Sequence, residues 1–65
     1  MEINIGKNTK CFRKSAGLTQ EKLADKVDLS LRYIQNIEDG TRLPTIITLL
    51  KIAKALNKDA GDFFH

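Results

Sequence analysis

Few residues of this chain could do covalent or metal chemistry, and those few lie far apart. Cys11 is the one cysteine, and His65, the last residue, is the one histidine. No Cys/His pair is close in sequence, no two carboxylates share an apolar setting, and no glycine-rich loop could cradle a phosphate. A single cysteine forms no internal disulfide, and two lone ligand types at opposite ends make no zinc site. The expectation is therefore no enzyme, no cofactor and no metal, with Cys11 a small, partly buried hydrophobe and His65 without a role. What remains is charge and hydrogen bonding. Eleven Lys/Arg against eight Asp/Glu give a net charge of +3 and a pI near 9.3. Lys7, Lys10, Arg13, Lys14, Lys22, Lys26 and Arg32 all fall in the first half of the chain. Cations gathered on one face attract phosphate and release counterions, so the balance points towards a polyanion.

The elements that must position these side chains follow from caps, breakers and apolar spacing. At 65 residues and 42% apolar, the chain is expected to form one domain over 1–65 with a marginal core. Nothing at the start resembles a signal peptide, and no apolar run nears the roughly 20 residues that span a bilayer. A cytoplasmic protein without membrane contact is the expected setting. Residues 5–15 read as a weak helix with Ile5, Phe12 and either Thr9 or Cys11 inward, ended by Gly17. Thr19 caps a helix over 20–27, whose Leu23, Ala24 and Val27 form one apolar face. Ser30 caps a third helix running to Asp39, with Gly40 as its stop. Pro44 restricts Leu43 to extended backbone, so TRLP is a loop. Thr45 caps a fourth helix carrying Leu49, Leu50, Ile52, Ala53 and Leu56, with Asn57 as its left-handed terminator. Asp59 then caps a short last turn, AGDFF.

One stretch resists this scheme. VDLSLRYI, residues 27–34, alternates apolar and polar like a half-buried strand. No second strand exists to pair with it, so its backbone groups would lack a ladder partner. As a helix–turn–helix join the alternation is composite. Val27 ends one helix, Leu29 staples the turn against Ile34, and Leu31 begins the next helix. With Ile34 at the zero angle and about 100° per residue, Ile37 falls near −60° while Arg32 and Asn36 fall near 160° and 200°. These two point away from the core. Leu31 and Tyr33 lie on opposite shoulders.

LTQEKLADKVDLSLRYIQNIEDG resembles the helix–turn–helix of the Xre family, the Cro/CI-type phage repressors and their bacterial relatives. The likeness covers nearly the whole chain. It rests on Thr19-Gln20, Leu23-Ala24, the apolar set Leu29, Ile34 and Ile37, then Glu38, Gly40, Pro44, Leu49, Ala53 and Leu56. It implies an all-α, compact five-helix, phage-repressor-like domain with the helix–turn–helix at helices two and three. Departures are Asp28, where the family usually has glycine, and Thr9 and Lys58, where it more often has apolar residues. Asp tolerates the left-handed region better than most residues. The other two suggest a core thinned at both ends.

The resemblance assigns roles residue by residue. Ser30, Leu31, Arg32 and Asn36 fall on base-contacting positions. Arg32 suits guanine, Asn36 suits adenine, and Leu31 can touch only a thymine methyl or a sugar. Thr19, Gln20, Tyr33, Thr41 and Arg42 fall on phosphate-contacting positions, and Arg13 with Glu38 on a structural pair tying helix one to helix three. Adjacent apolar residues in one turn cannot both face inward, so Ile47, Phe63 and Phe64 are the candidates for a dimer interface. The expected function is a sequence-specific regulator of transcription, of repressor or controller type. It would bind double-stranded DNA as a homodimer on an inverted repeat, with residues 30–39 in the major groove and no small-molecule ligand. The alternative is a helix–turn–helix module used mainly for protein–protein contact.

Overall fold

The computed structural model describes residues 4–65, so the first three residues of the domain expected over 1–65 lie outside it. Helices α1 (Ile5–Ser15), α2 (Gln20–Val27), α3 (Leu31–Glu38) and α4 (Ile46–Ala55) are followed by a 3-10 turn, Ala60–Phe64. Three of the starts are fixed by hydroxyl caps. The Thr19 oxygen accepts from the Lys22 N–H at 3.1 Å, Ser30 from Tyr33 at 3.1 Å and Thr45 from Thr48 at 3.2 Å. Each such cap contributes about 1 kcal/mol.

Three of the ends share one device. Gly17, Asp28 and Asn57 have φ of +74°, +57° and +58°, which turns the following N–H back onto the helix. Leu18 thus donates to the Arg13 carbonyl at 3.1 Å, Leu29 to Ala24 at 2.9 Å and Lys58 to Ala53 at 2.8 Å. The strand-like stretch resolves accordingly: Val27 closes α2, Asp28 takes the left-handed conformation, and Leu29 packs against the core. α3 ends at Glu38, so Asp39, expected as its last residue, is the cap beyond it.

The core is built from Leu23, Ile34, Ile37, Ile52 and Phe63, all essentially without exposure, with Ala24, Val27, Leu49, Ala53 and Leu56 around them. Burying each large side chain stabilises the fold by about 1.5–3 kcal/mol. α3 packs on α1 and α2; α4 packs on α2 and on the terminal turn, which also rests on α1. One side of α3 is left facing solvent. The Cα radius of gyration is 10.3 Å, at the value of about 11 Å expected of a compact chain this long.

The approach of α1 to α3 requires a glycine. A Cβ on Gly6 would overlap the backbone carbonyl oxygen of Ile37 and sit 3.0 Å from that of Glu38. Two residues on, the Asn8 amide donates to the carbonyls of Phe63 (2.9 Å) and His65 (3.0 Å), so α1 also holds the terminal turn.

Several expectations need correction. The domain is all-α, but it has four α-helices, not five. Ala60–Phe64 is too short to propagate an α-helix and closes through an i to i+3 bond from the Asp62 N–H to the Asp59 carbonyl at 2.9 Å. Phe63, offered as an interface residue, is fully buried and meets Phe12 edge-on at 5.0 Å, so only Phe64 of that pair reaches the surface. Cys11 is exposed rather than partly buried, and Leu50, read with the apolar run of α4, is 53% exposed. The core is not thinned at Thr9. Its side chain is fully buried, and its hydroxyl donates to the Ile5 carbonyl at 2.7 Å, which satisfies the one polar group it brings inside. Lys58 lays its ammonium over the Phe12 ring, 4.9 Å from the centroid.

Candidate nucleic-acid interface

The free side of α3 is held in place by a buried polar cluster behind it. Arg13, on α1, sends Nε to Glu38 Oε2 at 2.7 Å and Nη2 to Oε1 at 3.1 Å, while Nη1 donates to the Leu18 carbonyl at 2.7 Å. The two side chains are only 8% and 3% exposed. Gln20, the first residue of α2, donates from Nε2 to the same Glu38 Oε1 at 3.1 Å. One carboxylate at the end of α3 therefore gathers α1, the loop after it and the start of α2. Burying these charges is tolerable because no buried side-chain polar atom among the described residues lacks a partner.

On the opposite side of α3 the hydrogen-bonding groups are open. Arg32 and Ser30 are exposed, Asn36 is half-buried, and Leu31 and Tyr33 are half-buried on their shoulders. Among the described residues the side chains of Arg32 and Arg42 make no ion pair and no hydrogen bond. An open depression of about 460 Å³ brings together Ser30, Arg32, Tyr33, Asn36 and Arg42 with Asp28 and Leu29 from the turn. Leu31 and Thr41 lie outside this depression, as do Thr19 and Gln20 at the start of α2.

The loop after α3 is tied to the same face. The Arg42 N–H donates to the Asn36 carbonyl at 3.1 Å, and Gly40 supplies a φ of +84° for the reversal. Asp39 Oδ1 accepts from the Thr41 hydroxyl and from the Thr41 N–H at 2.8 Å. The hydroxyl first, then the N–H, holds the Asp39 carboxyl below its ordinary value. A lowered carboxyl favours the folded loop in full above the ordinary value; that preference is lost as pH falls through the lowered one.

Two members of this arrangement carry no local sequence signal for their part in it. Gly6 reads as a helix position where alanine would do better, and the question of why it is glycine is the one available hint. Asp28 reads as a turn residue, yet its place in the depression follows from standing two residues before Ser30 on a left-handed backbone. Among the described residues there is no group of three or more His, Cys, Asp or Glu that could hold a metal, and no helix long and apolar enough to cross a membrane.

Two helices joined by a tight turn, the second backed by a rigid core and open on its outer side, define a helix–turn–helix protein. Residues 12–63 match the helix-turn-helix family model, and the chain belongs to that family, in its Cro/CI-type branch. It is 42% identical over 67 residues to the control protein C.BamHI of Bacillus amyloliquefaciens, covering 97% of this chain and 83% of that protein. The fold matches the restriction-modification controller protein C.AhdI from Aeromonas hydrophila with a TM-score of 0.89, at 31% identity over 95% of this chain and 94% of that one. It matches SinR, the master regulator for biofilm formation, solved in complex with DNA, also at 0.89, with 27% identity over 94% and 98% of the two chains.

Proposed function

We propose that this chain is a sequence-specific DNA-binding regulator of transcription, of the repressor or controller type, acting by binding and not by catalysis. The observation that carries the reading is the open outer side of α3. It presents Arg32 and Asn36 beside Arg42 while Glu38, at the end of the same helix, is locked from behind. A major groove about 12 Å wide admits one such helix. Arg32 and Asn36 supply bidentate groups for guanine and adenine edges, with Ser30 and Leu31 as flanking contacts. Thr19, Gln20, Tyr33, Thr41 and Arg42 grip phosphates and fix the register. Gln20 has one amide hydrogen on Glu38 and so keeps the other, with its backbone N–H, for a phosphate.

The chain works as a homodimer on an inverted repeat, two copies of α3 entering successive major grooves about 34 Å apart. The kinship with control protein C.BamHI and with C.AhdI supports the controller role, and the SinR complex supports double-stranded DNA as the partner. The setting is the cytoplasm of a prokaryote, with the gene on the chromosome, a phage or a plasmid.

Binding to duplexes enriched from a randomised pool, measured across a salt series, tests the reading. Log affinity should fall linearly with log salt, with a slope of about −0.9 per phosphate contact. Arg32→Ala should weaken the enriched duplex by about 1–3 kcal/mol and relax preference at one base pair. If no duplex is bound at low salt, the reading is wrong and a protein-binding module takes its place.

A further inference from the structure

The depression on the outer side of α3 contains one group of the wrong sign for a polyanion. Asp28 lines it together with Arg32, Asn36 and Arg42. Its side chain is exposed and makes no hydrogen bond or ion pair among the described residues. It also occupies a backbone conformation, φ +57°, that glycine would adopt at lower cost. A carboxylate at that place, left unpaired, would only repel phosphate.

The geometry points to Asp28 as the positioning residue for Arg32 in the DNA-bound state, an inference that rests on the DNA-binding function proposed above. A guanidinium carries five N–H donors in a rigid fork. Guanine takes two of them through O6 and N7, which leaves donors facing sideways along the groove wall. Asp28 stands four residues before Arg32, lines the same depression and has a left-handed backbone. An accepting carboxylate there holds the guanidinium plane edge-on to the base once the complex has formed. It also offsets the charge that would otherwise draw Arg32 onto the nearest phosphate, where it would read nothing. The competing cations are Arg42 in the same depression and Lys26, Lys51 and Lys54, which border the separate depression that Asp28 also lines beside Val27.

A double-substitution cycle on Asp28 and Arg32 tests this. The probes are the duplex enriched by the wild-type protein, the same duplex altered at the base pair that Arg32→Ala relaxes, and a scrambled duplex of equal length. Asp28→Asn keeps a residue that tolerates positive φ and removes only the charge. It should bind the enriched duplex about three- to tenfold more weakly, losing preference at the same base pair as Arg32→Ala, with an undiminished melting temperature. In the Arg32→Ala background Asp28→Asn should cost no further discrimination. Asp28→Gly should lose the same preference while melting higher, which separates the carboxylate from the backbone. Additive effects, or equal tightening on all three duplexes, would overturn the assignment and leave Asp28 a turn residue that repels phosphate. Loss of all duplex binding by the wild-type protein would instead overturn the DNA-binding reading itself.

Discussion

Glu38 illustrates how much of this molecule depends on single side chains. Its two oxygens take three hydrogen bonds from Arg13 and Gln20, within a protein whose total stability, at this length, is about 3–10 kcal/mol. Glu38→Ala leaves the Arg13 guanidinium buried, with the Leu18 carbonyl as its remaining partner. Stranding one member of a buried pair costs about 3–5 kcal/mol, against about 0–1 kcal/mol for a surface pair. In a domain of this size each kcal/mol lowers the melting temperature by about 4–8 °C. Glu38→Ala should therefore melt at least about 12 °C lower or fail to fold, and Glu38→Gln, which keeps one acceptor, should fall between. A loss below about 1 kcal/mol in urea unfolding would mean the pair is as weak as a surface one. DNA affinity should drop in both variants although Glu38 does not face the groove, because Gln20 and the end of α3 lose their shared anchor.

Local signals placed the elements well, and non-local ones were invisible. Thr19, Ser30 and Thr45 each sit where a hydroxyl meets the start of an apolar stripe, and the structure has all three as caps. Asp28 and Asn57 could be read as left-handed positions because few other residues near the helix ends tolerate positive φ. Arg13 and Glu38 could be paired only through family likeness, since no periodicity links residues 25 apart in sequence. The outward position of Arg32 and Asn36 was legible from helical angles; their meeting with Asp28 and Arg42 was not, because it depends on the turn and the loop closing over one side of α3. Phe63 was misplaced because pattern alone does not tell which of two adjacent aromatics finds Phe12. Gly6 makes the point at the level of packing. On propensity, glycine to alanine inside a helix should stabilise by about 0.5–1 kcal/mol. Here the added methyl meets the Ile37 carbonyl, which is backbone and cannot rotate away. Gly6→Ala should therefore destabilise, by about 1–3 kcal/mol as for other overpacked sites. A higher melting temperature for Gly6→Ala would mean that α1 and α3 do not approach as closely as described.

For the whole molecule, the telling feature is an apolar surface left over once the core is complete. Ile46, Ile47 and Leu50 on α4 are 61%, 66% and 53% exposed, and Leu43 and Phe64 are 72% and 41% exposed. In a chain that is 29% charged, this concentration on and around one helix marks a surface for a partner, which the homodimer proposed above would fill with a second copy. The reading side of α3 contributes none of these residues, so the two surfaces can be used together. Because Ile47 and Leu50 contribute little to the protomer core, Ile47→Glu with Leu50→Glu should change the stability of an isolated protomer by no more than about 0.5 kcal/mol per site. If the surface joins two copies, the double variant should sediment as a monomer at concentrations where the wild type is a dimer. Its affinity for a full inverted repeat should fall towards that for a single half-site, a loss of about 10²–10⁴-fold as the second contact ceases to be intramolecular. Half-site affinity should stay as it was, since Arg32 and Asn36 are untouched. The wild-type melting temperature should also rise with protein concentration, as it does for any fold that association stabilises, while that of the double variant should not. Unchanged sedimentation of Ile47→Glu/Leu50→Glu would remove α4 from the interface and leave its apolar side for a partner of a different sequence.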